Sequence, residues 1–143
     1  MAGIKRTPAD IAFSICIRER SGWKCERCGK QYPDNSKGLE CAHIFGRANK
    51  SVRLEPLNAF SLCSGCHMYF TANPMNFSIF VKNKLGESYD LLVELSNDIM
   101  RGKEYHHAIK NGEAAKHYKS EHKRMRELRC SGNIGRIEFV GYI

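Results

Sequence analysis

Residues 38–67, GLECAHIFGRANKSVRLEPLNAFSLCSGCH, decide how this chain folds. Leu39 to Phe45 reads as a strand, and Ala59-Phe60-Ser61-Leu62 is its expected partner. Between them lies a basic loop, Gly46 to Leu57, that carries Arg47, Lys50 and Arg53. The second strand leads directly into Cys63-Ser-Gly-Cys66 and His67. A short helix is expected to start at this clip and to run through Met68, Tyr69 and Phe70 to about Ala72. Asn73-Pro74 stops it, because the residue before a proline is pushed out of the helical region. The order is strand, loop, strand, cysteine clip, histidine, helix.

A matching clip, Cys25-Glu-Arg-Cys28, lies upstream, with 34 residues between Cys28 and Cys63. The chain has seven cysteines and no secretion signal, which points to metal ligation rather than disulfides. Four thiolates in two short clips surround one tetrahedral Zn²⁺, with Gly29 and Gly65 expected to allow the tight turns. Cys25, Cys28, Cys63 and Cys66 leave no open coordination position for water, so this zinc is structural. Cys16 and Cys130 read as small core hydrophobes.

Outward from this centre, Thr7-Pro8-Ala9-Asp10 is a helix start, with Thr as N-cap and Pro at the first helical position. Ile11, Ile15 and Cys16 follow at helical spacing, and Ser21-Gly22 ends the helix. Residues 33–38, PDNSKG, form a turn cluster. Beyond Pro74, Phe77, Phe80, Val81 and Leu85 mark one amphipathic helix. Leu91, Leu92, Leu95 and Ile99 mark another, with Gly86 between them. Glu113 to Arg129 is helical in propensity, with Tyr118, Met125 and Leu128 as its apolar side, and residues 137–140, IEFV, are expected to form a closing strand. The expected architecture is a single α+β domain over residues 1–143: a helix at 7–21, a zinc-bound core at 23–74 and a mostly helical extension at 75–143.

Hydrophobic residues make up 42% of the 143-residue chain and charged residues 27%, which excludes a disordered tail, a collagen-like fibre and a membrane channel. No apolar run approaches the roughly 20 residues of a spanning helix, and the start has no signal-peptide pattern, so a cytoplasmic protein with no membrane partner is expected. The net charge is +8 and uneven. Residues 1–74 carry +5, residues 75–115 carry −1, and residues 116–129 carry +4 from six bases and two acids. Nucleic acid is the first candidate partner for such a distribution, and solubility alone is the competing explanation.

His43, Asn58 and His67 are separated by 15 and 9 residues within the central segment. In spacing, cysteine clips and element order, residues 23–74 resemble the HNH endonuclease family, whose ββα-metal fold holds one catalytic divalent cation between a hairpin and a helix. Residues 13–20, FSICIRER, and 42–47, AHIFGR, look more specifically like the phage NinG/Rap group, whose members act in recombination. This resemblance implies a phage-derived, metal-dependent DNA endonuclease that uses Mg²⁺ or Mn²⁺ and nicks DNA or cleaves branched DNA. His43 then matches the general base, since a neutral imidazole takes a proton from water near pH 7. His67 matches the metal ligand, and Asn58 orders the hairpin loop or helps to ligate the metal.

One position departs from the family pattern. An acidic ligand usually precedes the base histidine, and here that residue is Ala42. Glu40 lies on the same strand face one step back and is the candidate replacement; a water-mediated site and a lost site are the alternatives. Loss of the site would leave a non-catalytic, zinc-stapled DNA-binding module. Cys41 shares a face with His43 and is placed to pack beneath it. Arg47, Lys50 and Arg53 are expected to contact phosphates. Lys123, Arg124 and Arg126, within the basic run from Lys116, form either a DNA-tracking helix or a solvated face. A homodimer through the helical extension would suit double-strand cutting.

Overall fold

A computed structural model describes residues 4–143. Helix α1 (Pro8–Arg20) begins on a capping box. Thr7 Oγ1 accepts the Asp10 N–H at 3.3 Å, and the Asp10 carboxylate accepts the Thr7 N–H at 2.8 Å. The buried face is Ala9, Ala12, Phe13, Cys16 and Ile17. This differs from the expected spacing, because Ile11 is 46% exposed. The helix is covered on one side by the C-terminal part of the chain and on another by the central hairpin, and Ile11 points at neither.

Strand β1 (Leu39–His43) pairs antiparallel with β2 (Ala59–Cys63), in register from Leu39↔Cys63 to His43↔Ala59. The first strand stops two residues before the expected Phe45. There the ladder is replaced by Asn58, whose carbonyl accepts the Ile44 N–H and whose Oδ1 accepts the Phe45 N–H. The connecting segment is not an open loop. It contains two 3₁₀ turns, Lys50–Val52 and Pro56–Asn58, and it buries Val52 and Leu54 completely.

Helices α2 (Ser64–Ala72) and α3 (Pro74–Leu85) follow as the sequence implies, with Gly86 at positive φ ending the second. Helix α4 (Ser88–Ser96) is shorter than expected. Asp98 caps a new helix, α5 (Ile99–Lys110), so Ile99 starts that helix instead of ending α4, and it is 74% exposed. Helix α5 clamps the hairpin loop. Arg101 donates to the Ser51 carbonyl and to Glu55, and Gly102 lies so close that an added Cβ would sit 3.2 Å from Lys50 Cβ.

Helix α6 (Glu113–Cys130) packs lengthwise on α1, burying Tyr118 and Met125. Cys130 ends it as an exposed residue, not a core one. The expected strand at 137–140 is extended chain without a sheet partner. The outer edge of β2 is already occupied: Glu26 N–H donates to Ser61 O, Glu26 Oε2 accepts the Ser61 N–H, and Arg20 takes the Ala59 carbonyl. The tail instead inserts Ile137 and Phe139 into the α1–α6 core and leaves Val140 64% exposed. Two apolar cores result. One joins α1, α5, α6 and the tail; the other joins the hairpin, the cysteine clips, α2 and α3. The chain is a mixed-helix, two-stranded α+β structure. No described helix is long and apolar enough to cross a membrane.

Candidate functional site

Cys25, Cys28, Cys63 and Cys66 converge, with their four sulfur atoms all within 4.8 Å of one another. Cys28 Sγ and Cys63 Sγ are 3.9 Å apart, close to the roughly 3.8 Å edge of a tetrahedron with 2.3 Å Zn–S bonds. Cys28 N–H points at Cys25 Sγ (3.5 Å) and Cys66 N–H at Cys63 Sγ (3.4 Å), so each clip turns its amides toward a sulfur that carries charge as thiolate. Arg27 adds a guanidinium, 3.4 Å from Cys66 Sγ and packed over the Tyr69 ring at 4.0 Å. The donor set therefore fits a closed tetrahedral ion. The two clips differ in how they turn. Gly29 uses positive φ in a loop knuckle, whereas Gly65 lies in the first turn of α2 and needs no glycine conformation.

Beside this cluster a groove of about 520 Å³ runs between α1 and the hairpin. Glu40, Cys41 and His43 line it from β1, His67 from α2, Asp10, Ser14 and Arg18 from α1, Arg6 from the segment before its cap, and Lys37 and Arg47 from the flanking loops. Glu40 Oε1 and His67 Nδ1 are 2.9 Å apart at its rim. That is near the separation of about 3.0 Å for adjacent ligands of an octahedral cation with bonds of about 2.1 Å. Among the described residues the four cysteines form the only cluster of three or more candidate ligands, so Glu40 and His67 offer two. Two protein ligands fit Mg²⁺, which keeps most of its waters and takes the rest of its shell from substrate phosphate. Ala42 is buried and offers no donor.

His43 sits deeper, its ring stacked on Phe13 with centroids 6.2 Å apart. Burial, reinforced by the nearby Arg47 guanidinium, lowers its pKa to about 4. It is therefore neutral near pH 7. Cys41 lies alongside as a thiol whose pKa burial pushes up to about 12, so it is no nucleophile at neutral pH.

Asn58 lies outside the groove lining, is fully buried and has its amide engaged on the loop. Its Nδ2 donates to Phe45 O (2.8 Å) and Val52 O (3.0 Å), while Oδ1 accepts from Phe45 N–H. Of its two implied roles it performs the ordering one. Asn58→Ala removes three buried hydrogen bonds, and an expected loss of about 3 kcal/mol should appear as a lower urea midpoint with unchanged m-value.

The basic residues separate into two groups. Arg53 is not available for phosphate, because it grips buried Asp10 with contacts of 3.0 and 2.6 Å. Arg124 pairs with Glu121 and donates to Glu138 O, and Arg126 pairs with Glu19 and Asp34. All three are engaged within the fold, Arg53 through buried Asp10 and Arg124 and Arg126 through partly exposed ion pairs on α6. Arg6, Arg18, Lys37, Arg47, Lys50 and Lys123 have no acidic partner among the described residues. Arg6, Ser14, Arg18 and Lys37 went unassigned in the sequence. The signal in the sequence is the i, i+4, i+8 stripe Asp10–Ser14–Arg18, but only the fold shows that this stripe of α1 faces the groove.

Comparison with protein-family models, with curated proteins and with solved structures finds no match to this chain.

Proposed function

We propose that this protein is a metal-dependent DNA endonuclease of HNH type, stapled by a structural zinc at Cys25, Cys28, Cys63 and Cys66. The observation that carries this reading is one groove that holds a neutral, half-buried histidine, a carboxylate–imidazole pair and a wall of cations without acidic partners. In the reaction, His43 takes a proton from the attacking water as that oxygen bonds to phosphorus and the P–O3′ bond breaks. Glu40 and His67 would hold Mg²⁺ or Mn²⁺, which supplies charge stabilisation for the departing 3′ oxygen. Arg47 has a buried Nη1 without a partner among the described residues. A phosphate in the groove relieves that unsatisfied donor, which otherwise costs about 1–3 kcal/mol. A phage origin and action on nicked or branched DNA extend the same reading.

Ala42 favours a second reading, a zinc-stapled DNA-binding module without catalysis. Nicking of supercoiled plasmid with Mg²⁺, Mn²⁺ or a chelator separates the two. Cleavage that depends on added metal supports the nuclease; retention on DNA without cleavage under any metal supports the module. Within the nuclease reading, Glu40→Gln and His67→Ala are expected to raise the Mg²⁺ concentration needed for half-maximal rate by tenfold or more, with DNA affinity in chelator unchanged. A Glu40→Gln enzyme with wild-type metal dependence removes Glu40 from the ligand set.

DNA affinity gives an independent check on the cationic wall. Lys37→Ala with Arg47→Ala should reduce the slope of log affinity against log salt by roughly two. Arg53→Ala should leave that slope alone and lower stability, since buried Asp10 loses its partner.

A further inference from the structure

A second cavity, also of about 520 Å³, lies behind the hairpin, where α1 ends, α3 meets α4 and the tail crosses. Its apolar surface comes from Pro56, Leu57, Phe60 and Leu85. Its charged rim holds Arg20, Lys84 and Arg136 with Glu26 and Glu138. Arg136 is occupied by both acids, at 2.9 Å from Glu26 and 2.5 Å from Glu138. Arg20 and Lys84 have no acidic partner within 4 Å among the described residues, and three cations against two carboxylates leave the cavity with one net positive charge.

Arg20 is only 3% exposed. Its Nη1 donates to Pro56 O at 2.8 Å and its Nη2 to Ala59 O at 2.7 Å, which fixes the guanidinium in place. Its Nε is buried with no hydrogen-bond partner among the described residues. A buried cation with an idle donor at the edge of a part-apolar cavity is expensive unless an anion completes it. A phosphomonoester, with about −1.5 to −2 charges near pH 7, supplies the anion that neither Arg20 nor Lys84 has within 4 Å. Ligand pockets of about 300–1,000 Å³ combine apolar walls with a few placed polar groups, as this one does.

We propose that this cavity binds a nucleoside monophosphate, with the phosphate between Arg20 and Lys84 and the base against Phe60 and Leu85. Ser88, at the start of α4, borders the same space and supplies a hydroxyl. The phosphomonoester comes either from a free nucleotide or from the 5′ end of a DNA strand. The site adjoins the strand that faces the groove, because Ala59, whose carbonyl Arg20 holds, is the register partner of His43.

The test is titration of the full-length protein, without divalent cation, with dAMP, adenosine, inorganic phosphate and 5′-phosphorylated or unphosphorylated oligonucleotide, followed by backbone amide NMR. Saturable shifts at Leu85 and Ser88 are expected for dAMP, with at least tenfold weaker binding of adenosine. Lys84→Ala and Ser88→Ala, both outside the apolar cores, should each weaken dAMP by about fivefold or more while leaving the thermal transition in place. Tighter binding of the phosphorylated oligonucleotide at these amides assigns the site to a DNA end, and tighter binding of dAMP assigns it to a free nucleotide. Shifts confined to the Arg47–His67 groove, equal binding of adenosine and dAMP, or no response to Lys84→Ala overturn the proposal.

Discussion

Cys63→Ser is expected to abolish the cooperative thermal transition rather than to lower it by a few degrees. Cys63 ends β2, caps α2 by accepting the Cys66 N–H, and joins the first cysteine clip to the second. In the proposed zinc site it is also a ligand. Structural zinc contributes on the order of 10 kcal/mol to the folding of small metallodomains, and whole domains are stable by only about 5–15 kcal/mol. Loss of one thiolate therefore removes most of the folding free energy. Exposed Cys130 is the control, and Cys130→Ser should melt as the wild type does. Circular dichroism melts together with zinc content by mass spectrometry decide the matter. A Cys63→Ser protein with wild-type melting and one bound zinc ion removes the cluster from its structural role.

The second large effect is expected at His43. Under the proposed nuclease mechanism, His43→Ala should retain DNA affinity and lose cleavage by about 10² to 10⁴, the usual contribution of a positioned general base. Its pH dependence carries a sign that can be checked. An ordinary histidine takes up a proton near pH 6.5, whereas burial holds His43 at about 4. Because the neutral form is the proposed base, the wild-type rate should stay level as pH falls from 8 to 5 and drop only as pH passes through about 4. The same shift affects stability. The unfolded chain protonates at the ordinary value while the folded chain does not, so this residue makes the fold progressively less stable as pH falls from about 6.5 toward 4. His43→Ala should flatten that part of the stability profile. Rate loss that sets in near pH 6.5 assigns the base role to another group.

Those features set by neighbours in sequence were legible before any coordinates. Thr7 and Asp10 cap the helix that follows them, Asn73-Pro74 ends the helix before it, and both clips put their sulfurs together. Alternation along a strand singles out Glu40, whose carboxylate lies 2.9 Å from His67 Nδ1. Features that depend on distant partners were not legible. Arg53 looked free because Asp10 lies 43 residues away, and Arg126 because Glu19 lies 107 away. The tail reads as a strand by composition, but Glu26 and Arg20 had already taken the edge it would need. The groove's cationic wall was missed for a related reason. A helix buried on most sides gives no clear periodicity, and α1 buries even Asp10, Glu19 and Arg20.

The packing of α6 on α1 also sets a schedule. Glu19 is fully buried, and His122, Arg126 and Arg129 meet its carboxylate. Burial alone would raise its pKa, but the hydrogen bonds from His122 and Arg129 hold it at about 2, so it needs those partners to be buried at all. The nearest of them is 103 residues downstream, and Phe139, which packs edge-on against Phe13, comes later still. A ribosome that has released only the first hundred residues has therefore produced the hairpin, both cysteine clips and His43, with α1 held by the hairpin alone and Glu19 still without its partners. All of the groove lining, from Arg6 to His67, is out by then, but the opposite side of α1 is covered only when synthesis reaches α6 and the tail. A C-terminally clipped chain should therefore keep its cysteine cluster and lose stability at α1, whose core with α6 and the tail is then missing.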